Sequence, residues 1–426
     1  MKFIVVLCDG MSDYPVRELG GKTPMQAAHK PGMDFIARHG VLGLVQTVPG
    51  GVPPGSDTAN MSALGFDPEV YYTGRAPIEA VSMGVTIGDD EIAYRCNLVS
   101  LSDDARYEQK VMLDYSSDEI PSADAAVLIG DVNERLLGGL SDRLRFYPGI
   151  SYRHCMIWRG GGKRPVCVPP HDILTRRIGE YLPTDNVGIS GDGGDAVGDS
   201  YTADGEAGVL VKLMQDSYDF LSKHPINAAR VKSGKLPANS LWLWGQGKRL
   251  TLSSFYDKYG RTGAVISAVD LIKGIGMSAG MRVIDVEGAT GTLHTNYRGK
   301  AEAALSALED GCEFVYIHVE APDECGHRNE IENKVKSIEY IDKDIVCVLL
   351  ERLKRRGEDF SVMVLPDHAT PLSLRTHTKD PVPYAIYSSA AHREGGRATS
   401  FDEAQAALTG IVIDPGHTLM DIFLRG

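Results

Sequence analysis

The segment DECGH sets Asp323 and His327 four residues apart. If it coils, positions i and i+4 share one helical face, and a carboxylate and an imidazole there can grip one ion. Asp367 and His368 are adjacent in LPDHATPLSLRTHTKDPVP, and His377 follows nine residues after His368. Asp9 ends the apolar run FIVVLCD. Oxygen and nitrogen donors without cysteine suit manganese, zinc or magnesium better than softer metals. Ser56 stands in VPPGSDTANMSALG, after a proline pair and at the lip of a helix. Helix N-termini attract anions, so a hydroxyl there can carry a phosphoryl group. Singly, each feature has a plainer reading: Ser56 or Asp57 caps the helix, an Asp–His pair decorates a surface, and His377 is buried against backbone. Jointly they answer one chemical problem. Phosphate monoesters react extremely slowly, and two neighbouring cations can activate an attacking oxygen while holding the phosphoryl oxygens. A serine becomes an effective nucleophile once a metal lowers its pKa.

The elements that must hold these residues are readable from pattern. FIVVLCD (3–9), CEFVYIHVEAPD (312–323) and FSVMVLPDH (360–368) are β-branched, apolar and acid-terminated, as buried parallel strands are. Between the last two, Val335, Ile338, Ile341, Ile345, Val348 and Leu349 recur at helical spacing within 332–357, and Gly357 stops the helix. A strand-helix-strand crossover builds an α/β fold, a mainly parallel sheet flanked by helices, with ligands beyond the carboxyl ends of its strands. All three acids then point to one rim. From 85 to 185 the strand candidates are shorter (AYRCNLVSL, AAVLIGDV and LRFYPGISYRHCMIW), which predicts a smaller inserted α+β domain. Residues 1–84 and 186–426 are then one discontinuous metal-binding domain. The polar stretch 190–206 lacks the twelfth-position glutamate of a calcium loop and reads as a surface linker, ahead of a helix in GVLVKLMQDSYDFLSKH. RGGGKR (159–164) lacks Walker spacing.

Composition narrows the partners. With 43% hydrophobic and 24% charged residues the 426-residue chain is an ordinary globular one, long enough for two domains. A formal net charge of -13 argues against nucleic acid or an anionic membrane as partner, while a bound metal can still reverse the local field for a small anionic substrate. Seven scattered cysteines without a CxxC pair predict reduced thiols. The apolar run of MKFIVVLCDG, about six residues, is too short for a signal core or a membrane span, so a cytoplasmic protein is expected. Nothing in the sequence indicates an oligomeric state.

In order along the chain, CDGMSD, VPPGSDTANMSALGFDP, YYTGRAPIEA, YRCNLVSL, SYRHCMIW, GAVISAVDLIKGIGMSAGM, GATGTLHTNYRGKAEAAL, HVEAPDECGH, KVKSIEYID and LPDHATPLSLRTHTKDPVP resemble the archaeal-type 2,3-bisphosphoglycerate-independent phosphoglycerate mutases of the alkaline phosphatase superfamily. The resemblance covers nearly the whole chain. It implies an alkaline-phosphatase-like fold, two divalent ions (manganese, or zinc, cobalt or magnesium) and no 2,3-bisphosphoglycerate. It implies that Ser56 is the nucleophile, that Asp323, His327 and His377 bind one metal, and that Asp9, Ser56, Asp367 and His368 bind the other. The implied reaction moves a phosphoryl group between the 3- and 2-hydroxyls of glycerate through phosphoserine, with a small phosphorylated metabolite as partner. Water must then be excluded, a task for the insertion acting as a lid. Arg95 in YRCN and Arg153 with His154 in YRHC are candidates for the substrate carboxylate. Arg261 in YGRTG and Lys300 in YRGKAE are candidates for the phosphate. The chain departs from the family pattern at Asn60, where GSDTAH becomes GSDTAN; an asparagine carries no proton or charge near pH 7. WLWGQGKRL (242–250) also departs. These departures leave open a phosphotransferase of the same fold, such as a proposed homoserine kinase, and an insertion that left the site open to water would make the protein a metal-dependent phosphatase or phosphodiesterase.

Overall fold

Residues 3 to 8 are buried without a gap, as a strand covered by helices on both faces must be. In the computed structural model, which describes residues 1–162, 165–185, 205–391 and 398–425, this run is β1 (Lys2–Cys8). The other strands, in chain order, are β2 (Val41–Val45), β3 (Glu91–Leu101), β4 (Met112–Asp114), β5 (Leu144–Tyr147), β6 (Arg153–Arg159), β7 (Pro165–Val166) and β8 (Thr184–Asp185). They continue with β9 (Ser240–Lys248), β10 (Gly263–Ile266), β11 (Arg282–Ile284), β12 (Phe314–Val319), β13 (Phe360–Leu365), β14 (Val382–Ser388) and β15 (Val412–Ile413). The last residues of RGGGKR and positions 190–204 of the polar stretch lie outside the described residues.

The chain divides into two compact units, Met1–Tyr72 with Thr251–Gly426, and Thr73–Leu250. The first is built on an eight-stranded sheet of order β11-β10-β12-β1-β13-β14-β2-β15. All its neighbours pair in parallel except around β14, which runs opposite to β13 and β2. The mainly parallel α/β architecture is therefore the one that the crossover pattern predicts. The crossover from β12 to β13 is helical over Ile331–Ile341 and Cys347–Arg356, with one π turn at Asp342–Val346 between them. Ile338, Ile341, Ile345, Val348 and Leu349 are buried in the core with Ile4, Val6, Val315, Ile317, Val362 and Val364. Gly357 ends this helix at φ 71°, a left-handed geometry that costs glycine least.

Because β1, β12 and β13 are parallel, the residues that follow them emerge on one rim. A buried brace ties those loops together. Lys334 Nζ donates to Asp13 Oδ2 at 2.7 Å and to the Thr370 carbonyl at 2.8 Å. Asp13 in turn accepts from the Leu372 amide at 3.1 Å. The helix after β12, the loop after β1 and the loop after β13 thus share one ion pair with both partners out of solvent, a pair that is costly to break from one side.

The second unit is a separate antiparallel sheet in which β3 pairs with β4, β6 and β9, and β6 with β5. Helices Ser122–Arg135 and Glu206–Leu221 cover one face, packing Leu128, Ile129, Val132, Leu210 and Met214 against Tyr94, Met156 and Trp158. Two expectations change here. AAVLIGDV is helix rather than strand, because Ala125, Leu128, Ile129 and Val132 share one buried helical stripe. The unit also runs from 73 to 250 rather than from 85 to 185. Its boundary is set by a long-range pairing, β9 against β3, that brings the WLWGQGK segment into the sheet. All seven cysteines are free. Among the described residues no helix is long and apolar enough to cross a membrane.

Candidate active site

Ser56 opens helix Ser56–Ala63, and Gly55 is the N-cap, with no side chain capping that end. Neither Ser56 nor Asp57 acts as the cap. Asp57 instead accepts from the Thr58 amide and the Tyr72 hydroxyl. The Ser56 hydroxyl is left for the site: its Oγ lies 3.2 Å from His368 Nε2. The same ring nitrogen stands 3.6 Å from Asp9 Oδ1 and 3.4 Å from Asp367 Oδ2.

Asp9, Asp367 and His368 form one compact group, each offering a donor atom within 4.8 Å of the others, and all three are buried. The second carboxylate oxygen of Asp9 is held by His318 Nε2 at 2.9 Å. Its Oδ1 is buried without a hydrogen-bond partner. An orphaned anionic oxygen is expensive inside a protein, and a cation is the group that satisfies it. Burial pushes the Asp9 carboxyl well above its ordinary range, and the Asp367 and Asp323 charges add to the shift. Burial holds the His368 imidazole below its ordinary value. Thr370 Oγ1 donates to Asp323, so the His368 Nδ1–H donates to Thr370 at 3.2 Å, and the Nε2 lone pair faces the group. The backbone must come very close here. Gly10 sits at φ +61°, and a Cβ at that position would fall 2.5 Å from Asp323 Oδ1.

The second group lies on helix Ala321–His327 and the loop after β13. His327 Nε2 is 3.2 Å from Asp323 Oδ2 and 2.9 Å from His377 Nε2, and its Nδ1 faces the Arg375 carbonyl at 2.9 Å. His377 Nε2 is 3.5 Å from Asp323 Oδ1. Asp323, His377 and His368 also offer donors within 4.8 Å of one another, so His368 stands between the two groups. Oxygen and imidazole donors at this spacing fit divalent cations such as manganese or zinc. Burial works against charge on His327, but the hydrogen bond and charge of Asp323 outweigh it and raise the imidazole to about 9. A cation can take Nε2 only after that proton leaves. Manganese uptake near pH 7 should therefore release protons, and apparent affinity should climb with pH up to about 9. Calorimetric titrations in two buffers of different ionisation enthalpy measure this, and identical heats in both would refute it.

The basic candidates separate. In the second unit, Arg95 is buried, ion-paired to Glu79 at 2.7 Å and stacked 4.2 Å from the Trp244 ring, and burial pulls its guanidinium down to about 10. Arg153 opens β6 directly across from Asn97 of β3 and is exposed, whereas His154, next along the strand, points to the opposite, apolar face. His154 accepts from the Gly149 amide through Nδ1, and burial pushes it down to about 3. The Arg153–His154 pair therefore does not act on one ligand. In the first unit, Arg261 precedes β10, stacks on Phe3 at 4.4 Å and faces Glu313 at 3.7 Å. Those neighbours mark the amino ends of the strands, about 20 Å from the carboxyl rim for a six-residue strand. Arg261 is thus a structural residue of the opposite edge. Lys300 is fully buried with its Nζ on the His318 carbonyl at 2.7 Å, and burial pulls it down to about 8, so it supports the strand end from behind.

Some members of the site were not singled out by motif: His318, Tyr316 and Thr370. The available signal was weak, a histidine and a tyrosine inside an apolar strand run. Asn60, the departure from the family pattern, donates to the Ser56 carbonyl and to Asp367 Oδ2, both at 2.8 Å, and accepts from Tyr316 at 2.7 Å. A neutral imidazole has two nitrogens and cannot make all three bonds.

The first unit is thus a mainly parallel α/β domain that gathers a serine, carboxylates and imidazoles at the carboxyl rim of its sheet. The family model for 2,3-bisphosphoglycerate-independent phosphoglycerate mutase matches residues 37–227. A protein of that name from Methanosarcina barkeri is 46% identical over 426 residues, covering 100% of both chains. A solved structure of a Pyrococcus horikoshii protein aligns over 100% of this chain and 96% of its own, at 26% identity and a TM-score of 0.76. The cofactor-independent phosphoglycerate mutase of Thermoplasma acidophilum aligns over 100% and 99%, at 25% identity and a TM-score of 0.60. The chain belongs to the archaeal-type 2,3-bisphosphoglycerate-independent phosphoglycerate mutase family.

Proposed function

We propose that the reaction of this family of isomerases, the interconversion of 3- and 2-phosphoglycerate without 2,3-bisphosphoglycerate, runs here through a phosphoserine on Ser56. The observation that carries this reading is the Ser56 hydroxyl, unused as a cap and 3.2 Å from His368 Nε2. The unpartnered Asp9 Oδ1 faces that same nitrogen. Asp9, Ser56, Asp367 and His368 would hold one divalent cation and Asp323, His327 and His377 the other, with manganese as the working ion. Bound there, the cations would supply positive charge for the phosphoryl oxygens and ease ionisation of the serine. Ser56 Oγ forms a bond to phosphorus as the bond to the 3-oxygen breaks, and the proton given up by the serine ends on that oxygen. Glycerate then turns, and its 2-hydroxyl takes the phosphoryl group back while Ser56 recovers a proton. Arg95 and Arg153 of the second unit are the groups proposed for the carboxylate, since a planar guanidinium matches it with paired hydrogen bonds.

The test is an assay with manganese and 3-phosphoglycerate that follows 2-phosphoglycerate, free phosphate and ATP together, with an acid quench during turnover. The expected result is 2-phosphoglycerate without ATP use, little free phosphate, and one phosphoryl group on the peptide that contains Ser56. Phosphate release at the turnover rate, or transfer from ATP to another alcohol with no 2-phosphoglycerate, would refute the proposal.

A further inference from the structure

We infer that β12 positions two metal-binding carboxylates from behind, Asp9 through His318 and Asp367 through Tyr316 and Asn60, and that these contacts set the cation affinity of that one subsite. The inference rests on the two-cation reading above. Tyr316 and His318 are two residues apart on β12, so their side chains leave the same face of the strand, and both are fully buried.

The hydrogen bonds around His318 run in one direction. The Val269 amide donates to Ser267 Oγ at 3.0 Å, and that Oγ lies 3.1 Å from His318 Nδ1. The Asp9 carboxylate oxygen Oδ2 can only accept, so His318 Nε2 carries the ring proton and donates it at 2.9 Å, and Nδ1 of the neutral ring accepts from the Ser267 hydroxyl. Lys300 anchors the same residue's carbonyl. Asp9 therefore has one oxygen fixed and turns the other, unpartnered, toward His368.

The second relay works through an amide. The Asn60 amide nitrogen donates to Ser56 O and Asp367 Oδ2, which can only accept, so Asn60 Oδ1 faces Tyr316 and accepts from its hydroxyl at 2.7 Å. A flipped amide would set oxygen against the Asp367 carboxylate and against the Ser56 carbonyl. Amides of Gly10 and His368 fix the other Asp367 oxygen at 3.1 and 2.9 Å. The acceptor-only Ser56 carbonyl and Asp367 carboxylate thus fix the orientation of Asn60, and the Tyr316 hydroxyl satisfies the Asn60 Oδ1 left on the other side. Hydrogen bonds of this kind behind a metal ligand typically change metal affinity by about 10–100-fold. No comparable contact runs from Tyr316 or His318 to Asp323, His327 or His377 among the described residues, so the second subsite is left outside both relays.

The experiment is a manganese titration of chelator-treated full-length protein, followed by calorimetry and by the electron paramagnetic resonance of free manganese. It compares wild type with Tyr316→Phe, His318→Leu and His318→Gln, each checked for an intact near-ultraviolet circular dichroism spectrum. The expected result is two binding events in wild type, with one of them weakened about 10–100-fold in Tyr316→Phe and His318→Leu and the other unchanged. His318→Gln, which keeps an N–H donor, should be weakened less than His318→Leu. Unchanged affinities at both subsites, or equal weakening of both, would overturn the inference while leaving two-cation binding intact. A wild-type protein that takes up no manganese would overturn the two-cation reading itself, and this inference with it.

Discussion

Ser56→Ala protein should lose mutase turnover by on the order of 10⁴-fold or more while binding manganese at both subsites. The reason is that the reaction needs one oxygen to carry the phosphoryl group between two hydroxyls of the same substrate. Among the described residues no other hydroxyl stands against His368 Nε2 as Ser56 does. The substitution is mild for the fold. Ser56 is the first helical residue, does not cap, and its position suits alanine. His368 keeps its Nδ1 bond to Thr370. Steady-state assay of 2-phosphoglycerate formation, beside elemental analysis of bound manganese and a thermal melt, measures the three quantities together. Residual turnover within tenfold of wild type would exclude a covalent route through Ser56. Loss of metal along with activity would instead make Ser56 an essential ligand.

Asp367→Ala should do the converse, removing one bound cation per chain and lowering kcat/KM by on the order of 10³-fold or more, the scale of the several kcal/mol a metal contributes at a phosphoryl group. The Asp367 carboxylate accepts from the Gly10 and His368 amides and from Asn60, so its removal also leaves buried donors unpaired and should lower the melting temperature. Wild-type protein stripped by chelator should behave alike. Manganese should restore it more fully than calcium, which prefers six to eight oxygen ligands to a site rich in imidazole. Elemental analysis after dialysis and the coupled mutase assay decide the matter. Unchanged metal content and activity in Asp367→Ala would refute the assignment.

Much of this molecule was determined by short stretches of sequence. The strands β1, β12 and β13 follow from continuous β-branched runs, and the crossover helix follows from its apolar spacing and from Gly357. These are local signals, because burial on both faces and helical periodicity are written in neighbouring residues. Once the strands are parallel, an acid just past each of their ends must reach the same rim, so the gathering of Asp9, Asp323 and Asp367 follows from pattern plus one topological rule.

Only the tertiary structure decided the rest. AAVLIGDV suits strand and helix alike as an isolated run, and its packing against β5 in the core of the second unit chose helix. The second unit reaches residue 250 because β9 pairs with β3 across a long separation in sequence. A basic residue near a strand reads the same at either end of it, yet Arg261 lies at the amino edge beside Phe3 and Glu313. Lys300, His318, Tyr316 and Asn60 show the same limit. Each takes its role from a partner 18 or more residues away, the nearest being the Lys300–His318 contact. Hydrogen bonds of that range depend on which elements meet, and a linear pattern does not record the meeting.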